Sequence, residues 1–227
     1  MIVTVEEVLE RLKTKARPDQ LKSMSKFGIA VERRLGISIP NLRKMAKEVG
    51  QNHDLALKLW KTRIAEAMIL ASMIDNPKQL TEVQMEDWVI GFDSWDICDQ
   101  VCGNLFCKSP LAWAKTIDWA QREEEFVKRA AFSLIAYLAC HDKQANDEKF
   151  IGLLPVIVQQ SPDERNFVKK AVNWALRSIG KKNVNLNQAA INAAKEIQRL
   201  DSKTARWIAS DALRELDSEA VQKRLKR

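Results

Sequence analysis

Apolar side chains recur at intervals of three and four residues along almost the whole chain, which is the period of an α-helix buried on one face. Near the start, Val5, Val8, Leu9 and Leu12 follow this spacing. No segment keeps the alternation of apolar and polar residues that a half-buried β-strand requires. The periodicity predicts helices over residues 5–12, 41–50, 53–60, 63–74, 81–90, 93–106, 110–121, 124–140, 147–159, 164–179, 187–200, 203–216 and 218–225.

The helical pattern also repeats at longer range. FVKRAAFSLIAYL, starting at Phe126, resembles FVKKAVNWALRSI, starting 41 residues later at Phe167, and Ala-Leu-Arg occurs at 175–177 and again 37 residues on, at 212–214. Such a period predicts an all-α fold, a HEAT-like helical-repeat solenoid whose stacked helix pairs share one core and line a concave basic groove. Short linkers place residues 1–227 in a single domain. An irregular helical bundle is the alternative.

Composition excludes several other classes of protein. Hydrophobic residues make up 46% of the chain, too many for a disordered protein, and only seven Gly and six Pro supply turns, too few for a β-sandwich or a dinucleotide-binding α/β fold. There is no apolar run of about 18 residues and no secretory signal, so neither a membrane span nor secretion is expected. Four cysteines in such a chain are expected to be reduced thiols, in the cytoplasm.

The excess positive charge lies in the last third of the chain. Residues 161–227 hold 15 Lys and Arg against 8 Asp and Glu, whereas residues 1–160 hold 22 of each, so the whole net charge of +7 falls in the C-terminal part. This asymmetry favours a polyanionic partner, with nucleic acid first among the candidates. A solvated basic surface that aids solubility is the alternative.

One predicted helix carries an aromatic residue between two cations. In 164–179, Lys170, Trp174 and Arg177 share a face outside the apolar stripe, where they would suit a base and its neighbouring phosphates. In the repeat register Arg129 aligns with Lys170, and Lys128 precedes it, so successive repeats would present cations to a phosphate backbone. The alternative is that the cations lie at repeat edges and the indole fills a gap between helices.

The segment FDSWDICDQVC concentrates acidic and aromatic residues in a basic protein. Trp95 and Asp99 lie one helical turn apart on one face. A carboxylate in a phosphate-binding groove repels its ligand, unless the reaction develops positive charge, as cleavage of a glycosidic bond does. The alternative is that Asp96 and Asp99 complement the dipole of the helix.

Other chemistry finds less support in the sequence. Cys98, Cys102 and Cys107, with Cys140 and His141 downstream, do not have the C-x₂-C spacing of a zinc knuckle, so buried thiols and no metal are expected. The chain contains no GxGxxG, GxxxxGK[ST], GxSxG or HExxH string, which leaves nucleotide-cofactor, hydrolase and zinc-protease classes without a motif.

Four stretches, taken in order, resemble the AlkD-type DNA alkylation repair glycosylases, which are built of HEAT-like repeats. They are RRLGISIPNLRKMAKE (33–48), SWDICD (94–99), FVKRAA (126–131) and KKAVNWALRSIGKKN (169–183). The resemblance covers most of the chain. It implies excision of cationic N3- or N7-alkylated purines from double-stranded DNA, with neither metal nor organic cofactor.

The resemblance also assigns roles to residues of this chain. It makes Asp99 the catalytic carboxylate, Trp95 and Trp174 the aromatic walls around the lesion, and Arg129 and Arg177 ligands of backbone phosphates. Phe27 stands where the best-known branch of the family has a Tyr, so that contact with DNA loses its hydroxyl.

Two further expectations concern assembly and the rival function. A solenoid needs no partner to complete its core, so a monomer is expected. The rival function is a non-catalytic HEAT-like scaffold that binds branched or damaged DNA or a protein partner.

Overall fold

The structure, a computed structural model, describes residues 3–226, and they contain no β-strand. The prediction of an all-α protein is confirmed. The α-helices are α1 (Val5–Lys13), α2 (Leu21–Lys26), α3 (Ile39–Val49), α4 (His53–Lys61), α5 (Ala65–Ile74), α6 (Glu82–Ile90), α7 (Trp95–Asn104), α8 (Ala112–Asp118), α9 (Glu125–His141), α10 (Asp147–Ile151), α11 (Leu154–Gln160), α12 (Asn166–Gly180), α13 (Val184–Gln198), α14 (Lys203–Leu216) and α15 (Glu219–Leu225). Single 3₁₀ turns lie at Pro18–Gln20, Phe106–Lys108 and Trp119–Gln121.

Short polar side chains fix several helix starts. Thr4 accepts a hydrogen bond from the Glu7 backbone amide while the Glu7 carboxylate accepts one from the Thr4 amide, so α1 begins with a reciprocal cap. The Asn183 side chain accepts from the Leu186 amide at 2.8 Å and starts α13 three residues before the predicted position. At the other end of α3, Gly50 adopts φ 77° and closes the helix, as predicted.

The predicted helix over 147–159 is two helices. α10 ends at Ile151 and α11 begins at Leu154, with Pro155 in its first turn. The proline ring has no amide hydrogen to continue the helix and would collide with the preceding turn, so a break is required there. The short helix α2 has no predicted counterpart, because its six residues, LKSMSK, are too few to display a period.

The chain divides into two compact units, Met1–Pro110 and Leu111–Arg227. Each unit has its own apolar core. That residues 1–227 make one solenoid domain with a concave basic groove stays a prediction.

The first unit is built around α5. α3, α4 and α7 all pack against it, and nine of its ten residues are buried. Its sequence, AEAMILASMI, is accordingly apolar on nearly every face. Beside it, the Trp60 and Trp88 rings stack with centroids 4.2 Å apart, and Phe92 and Phe106 complete this aromatic part of the core. These contacts pack α4 and α6 against the segments on either side of α7.

The second unit consists of two layers of helices. α9, α12 and α14 lie side by side in one layer, while α8, α11 and α13 pack behind them. The predicted repeat is visible as a contact: Phe126 and Phe167, 41 residues apart, lie on neighbouring helices with ring centroids at 5.7 Å. Equivalent positions of successive repeats therefore face each other across the helix–helix interface.

Candidate functional site

α7 presents Trp95 and Asp99 on one face, one turn apart, and both side chains are half-buried. Ser94, in extended conformation, precedes the helix. The Trp95 indole N–H donates to the backbone carbonyl of Phe27 at 3.1 Å. The Phe27 ring itself is 69% exposed, so the loop after α2 orients the indole through its backbone and leaves the phenyl ring at the surface.

Asp96, the other acid in this segment, has a structural partner. Arg34 donates to both of its carboxylate oxygens, at 2.7 and 3.0 Å, and also donates to the Ala30 carbonyl at 2.8 Å. The Arg34 side chain is 2% exposed, and the Ser94 hydroxyl donates a further hydrogen bond to Asp96 at 2.7 Å. This bidentate pair fastens the start of α7 to the loop before α3.

The same loop is held from its other side by a buried carboxylate. Glu66, in the first turn of α5, accepts hydrogen bonds from the backbone amides of Leu35, Gly36 and Ile37 at 2.9, 2.8 and 3.3 Å. Gly36 has φ 77°, and a Cβ at this position would collide with the Arg17 carbonyl oxygen. Residues 34–37 are therefore fixed on both sides.

On α12, Lys170, Trp174 and Arg177 lie on one face, as predicted. Lys170 is exposed and Trp174 is half-buried. The Trp174 ring makes an edge contact with Tyr137 of α9, centroids 5.2 Å apart, and Tyr137 stacks on His141 at 6.0 Å. Sequence reasoning missed Tyr137 as a neighbour of Trp174, because the repeat alignment puts no aromatic residue at the matching position of α12.

Arg177 reaches the neighbouring helix α14. It forms an ion pair with Glu215 and lies 3.6 Å from Asp211, while Lys181 binds the other Glu215 oxygen at 2.7 Å. Partial burial raises the pKa of Glu215, but the hydrogen bonds from Lys181 and Arg177 lower it more, so the net shift is below the ordinary value of 4.5. Glu215 is therefore charged throughout the neutral range and orients both cations.

Replacing Glu215 with Gln is expected to lower the stability of the protein by about 1 kcal/mol at neutral pH. Because the pKa of this carboxyl is depressed on folding, its contribution is complete above pH 4.5 and is lost as the pH falls through the lower, folded-state value. Urea unfolding across a pH series checks this. The difference in unfolding free energy between Glu215→Gln and the wild type should disappear in acid. Glu196→Gln, at an exposed position of α13, should have the wild-type unfolding free energy at every pH. A gap that persists unchanged well below pH 4 would contradict the assignment.

Lys128 and Arg129 differ from the predicted row of exposed cations. They are 7% and 6% exposed, respectively. Lys128 binds the Gln160 side chain at 3.1 Å and lies 3.6 Å from Asp163, and Arg129 donates to the Phe167 carbonyl at 2.6 Å. The predicted free presentation of these two charges was wrong, because both side chains bind polar groups of the next repeat. Their contact with DNA stays a prediction, and to bind a phosphate Lys128 and Arg129 would have to leave the protein groups that they bind in this structure.

The predicted site residues divide between the two units. Phe27, Trp95 and Asp99 belong to the first, and the remaining five, all on α9 and α12, belong to the second. Their convergence on one surface stays a prediction.

Four free cysteines are the remaining candidates for metal-ligand or thiol chemistry in residues 3–226. No group of three or more His, Cys, Asp or Glu side chains there is placed to hold a metal ion. Cys98 and Cys102 are buried, and burial, followed by its interaction with Cys98, raises the pKa of the Cys102 thiol. Over the same residues, no helix is long and apolar enough to cross a bilayer.

The sequence matches one known family and resembles two uncharacterized proteins. Residues 8–216 match the family described as DNA alkylation repair enzyme. Uncharacterized proteins of Listeria monocytogenes and Listeria innocua are 22% and 21% identical to this chain, over 88% of its length and 88% of theirs.

A solved structure adds a comparison of folds. It is described as "a new family of proteins related to the HEAT-like repeat DNA glycosylases with affinity for branched DNA structures". Its TM-score against this chain is 0.81 at 22% identity, with 98% of this chain and 96% of that one covered. This likeness confirms the predicted HEAT-like helical-repeat fold.

Proposed function

Because the chain belongs to the family of DNA alkylation repair enzymes, we propose that it binds double-stranded DNA and hydrolyses the N-glycosyl bond of cationic N3- or N7-alkylated purines. The family match over residues 8–216 is the observation that carries this proposal. The pairing of Trp95 with Asp99 on one face of α7, and of Lys170, Trp174 and Arg177 on one face of α12, supports it with residue types that suit the chemistry.

In the proposed reaction the leaving group already carries the positive charge. The bond between C1′ and the purine nitrogen breaks with its electron pair moving to the base, which departs neutral, and positive charge develops on the sugar. Asp99 stabilises that charge and aligns a water molecule, whose oxygen bonds to C1′ while its proton passes to the carboxylate and then to solvent. No group needs to protonate the base.

Selectivity for alkylated purines comes from the two indoles. Trp95 and Trp174 attract the cationic nucleotide through their ring faces, each by about 0.5–2 kcal/mol, and an uncharged purine gains none of this. The hydrogen bond from Trp95 to the Phe27 carbonyl and the edge contact between Trp174 and Tyr137 limit the rotation of both rings. Less of the binding energy is then lost in ordering them.

Release of the free base tests this function directly. The protein is incubated with duplex DNA containing 7-methylguanine or 3-methyladenine, and the supernatant is analysed for the free bases by liquid chromatography. We expect both to accumulate with enzyme, and undamaged guanine to stay in the DNA. If the protein binds the duplex without releasing either base, the glycosylase assignment fails.

A non-catalytic role is the second candidate, favoured by the description of the solved relative as having affinity for branched DNA structures. In that role the cations of α12 would bind backbone phosphates at a junction, and Trp174 would stack on an unpaired base. Comparison of the affinities for a four-way junction and for a duplex of equal length separates the two candidates. The second predicts a clear preference for the junction and no base release.

Arg177→Ala is expected to weaken duplex binding equally for all sequences and to reduce the slope of log K against log salt by about one. The reason is that a contact with a phosphate carries charge but no base information. Fluorescence anisotropy over a salt series measures the slope. Arg199→Ala, an exposed arginine after α13, is the control for lost charge. Equal slopes for Arg177→Ala and the wild type would exclude a phosphate contact.

A further inference from the structure

Two arginines of the first unit, Arg33 and Arg63, have a backbone conformation that is rare for their residue type. Their φ angles are 54° and 57°, and residues 3–226 contain no other non-glycine residue with positive φ. Arg33 lies in the loop before α3, and Arg63 lies between α4 and α5. The two segments are tied together, since the Ala65 amide donates to the Arg33 carbonyl at 3.0 Å.

Left-handed backbone is sterically unfavourable for an arginine, whereas Gly or Asn would occupy it with less strain. The surrounding contacts impose it. On one side of Arg33, Arg34 forms an ion pair with Asp96, and Glu66 accepts hydrogen bonds from the amides of residues 35–37. The Arg63 amide donates to the Trp60 carbonyl at 3.2 Å. Strained residues that the fold maintains in this way tend to occur at binding sites.

Both arginines line one cavity of about 300 Å³, together with Met68, Ile90, Gly91, Phe92 and Asp93. Arg63 Nη1 donates to the Gly91 carbonyl at 3.3 Å, and a Cβ at Gly91 would collide with this same nitrogen. The glycine is therefore required for the guanidinium to lie where it does. Arg33 and Arg63 are both exposed at the surface, so the cavity is open to a ligand.

The charge of the cavity suits a single anion. Among residues 3–226 neither Arg33 nor Arg63 forms an ion pair, so most of their N–H donors have no protein acceptor. Asp93 contributes the one negative charge of the lining, which leaves a net charge of +1. A phosphodiester carries one negative charge and accepts the forked hydrogen bonds that guanidinium groups donate.

We propose that Arg33 and Arg63 bind one phosphodiester group of the DNA backbone. This inference rests on the proposed function, and it adds a phosphate site in the first unit that neither the repeat pattern nor the family resemblance assigns. Asp93 of the cavity precedes Trp95 by two residues, so the bound phosphate would lie at the N-terminal end of the helix that carries Asp99. It would fix the register of the damaged strand along α7.

The test uses the double variant Arg33→Ala/Arg63→Ala and a control with the same loss of charge, Arg43→Ala/Lys47→Ala, at exposed positions of α3. Duplex affinity is measured by anisotropy over a salt series. We expect the site variant to bind about 10- to 100-fold more weakly and its salt slope to fall by about one, for the single phosphate that the two arginines bind. The control is expected to keep most of the wild-type affinity and slope.

A second pair of substitutions guards against loss of folding. Arg33→Gly/Arg63→Gly removes both side chains and relieves both strained conformations. We therefore expect its melting temperature to be at least that of the Ala variant and close to that of the wild type. Its affinity for DNA should be as low as that of the Ala variant. Wild-type affinity and slope in both folded site variants would overturn the inference. Absence of duplex binding by the wild type would instead overturn the proposed function.

Discussion

Asp99→Asn is expected to reduce the rate of 7-methylguanine release by about 10²- to 10³-fold while leaving duplex affinity close to that of the wild type. The amide keeps the size of the side chain but removes the negative charge opposite the developing positive charge on the sugar. Loss of one preorganised electrostatic contact of this kind typically costs two to three orders of magnitude in rate. Single-turnover kinetics with excess enzyme isolate the chemical step from product release.

The direction of the affinity change makes this variant informative. A carboxylate near DNA repels phosphates, so its neutralisation should leave binding unchanged or tighten it slightly, and a defect confined to the rate identifies a catalytic role. Asp87→Asn, at an exposed position of α6, has the same chemical change and should retain full activity. Wild-type rates in Asp99→Asn would refute the assignment of Asp99 as the catalytic carboxylate.

Much of the fold could be predicted because the information that sets helices is local. The three-to-four spacing identified the long amphipathic helices, and Gly50 was identified as a helix end. Longer-range information came from the repeat, since Phe126 and Phe167 could be paired by similarity and do lie in contact. The prediction missed α2, which is a single short helix with no buried residue and hence no apolar stripe.

The chemistry of individual side chains was harder to predict because it depends on partners distant in the chain. Arg34 and Asp96 are 62 residues apart, and the Glu66 carboxylate meets the Gly36 amide 30 residues upstream. Neither pairing leaves a periodic trace in the sequence. The sequence placed Asp99 on the face of Trp95, but it did not reveal that Asp96 is held by Arg34.

Lys128 and Arg129 show that a correct position in the repeat does not reveal whether a side chain is exposed. Their positions in the repeat were assigned correctly, and α9 does pack beside α12. A sequence does not reveal whether a cation at a repeat edge points to solvent or back to a carbonyl of the next helix, and Arg129 binds the Phe167 carbonyl. Position in a repeat predicts which helices meet, whereas exposure depends on side-chain rotamers.

Glu66→Ala is expected to be the most destabilising single substitution considered, at about 3–6 kcal/mol. It leaves three backbone amides of the loop without an acceptor, and each unsatisfied buried donor costs about 1–3 kcal/mol. The loop would then release the Arg34–Asp96 pair and with it the start of α7, so base release should fall together with stability. Urea unfolding measures the loss, and hydrogen exchange at the Leu35, Gly36 and Ile37 amides localises it.

The control for Glu66→Ala is a substitution in the loop whose amides Glu66 binds. Glu32→Gln changes an exposed acid and should stay within about 0.5 kcal/mol of the wild type. Glu66→Gln is expected to fall between the Ala variant and the wild type, because its carbonyl oxygen can still accept from the loop while its NH₂ group faces the remaining amide donors. If Glu66→Ala retained wild-type stability and slow exchange at the three amides, the carboxylate could not be what holds this loop, and the strained backbone of Arg33 would need another cause.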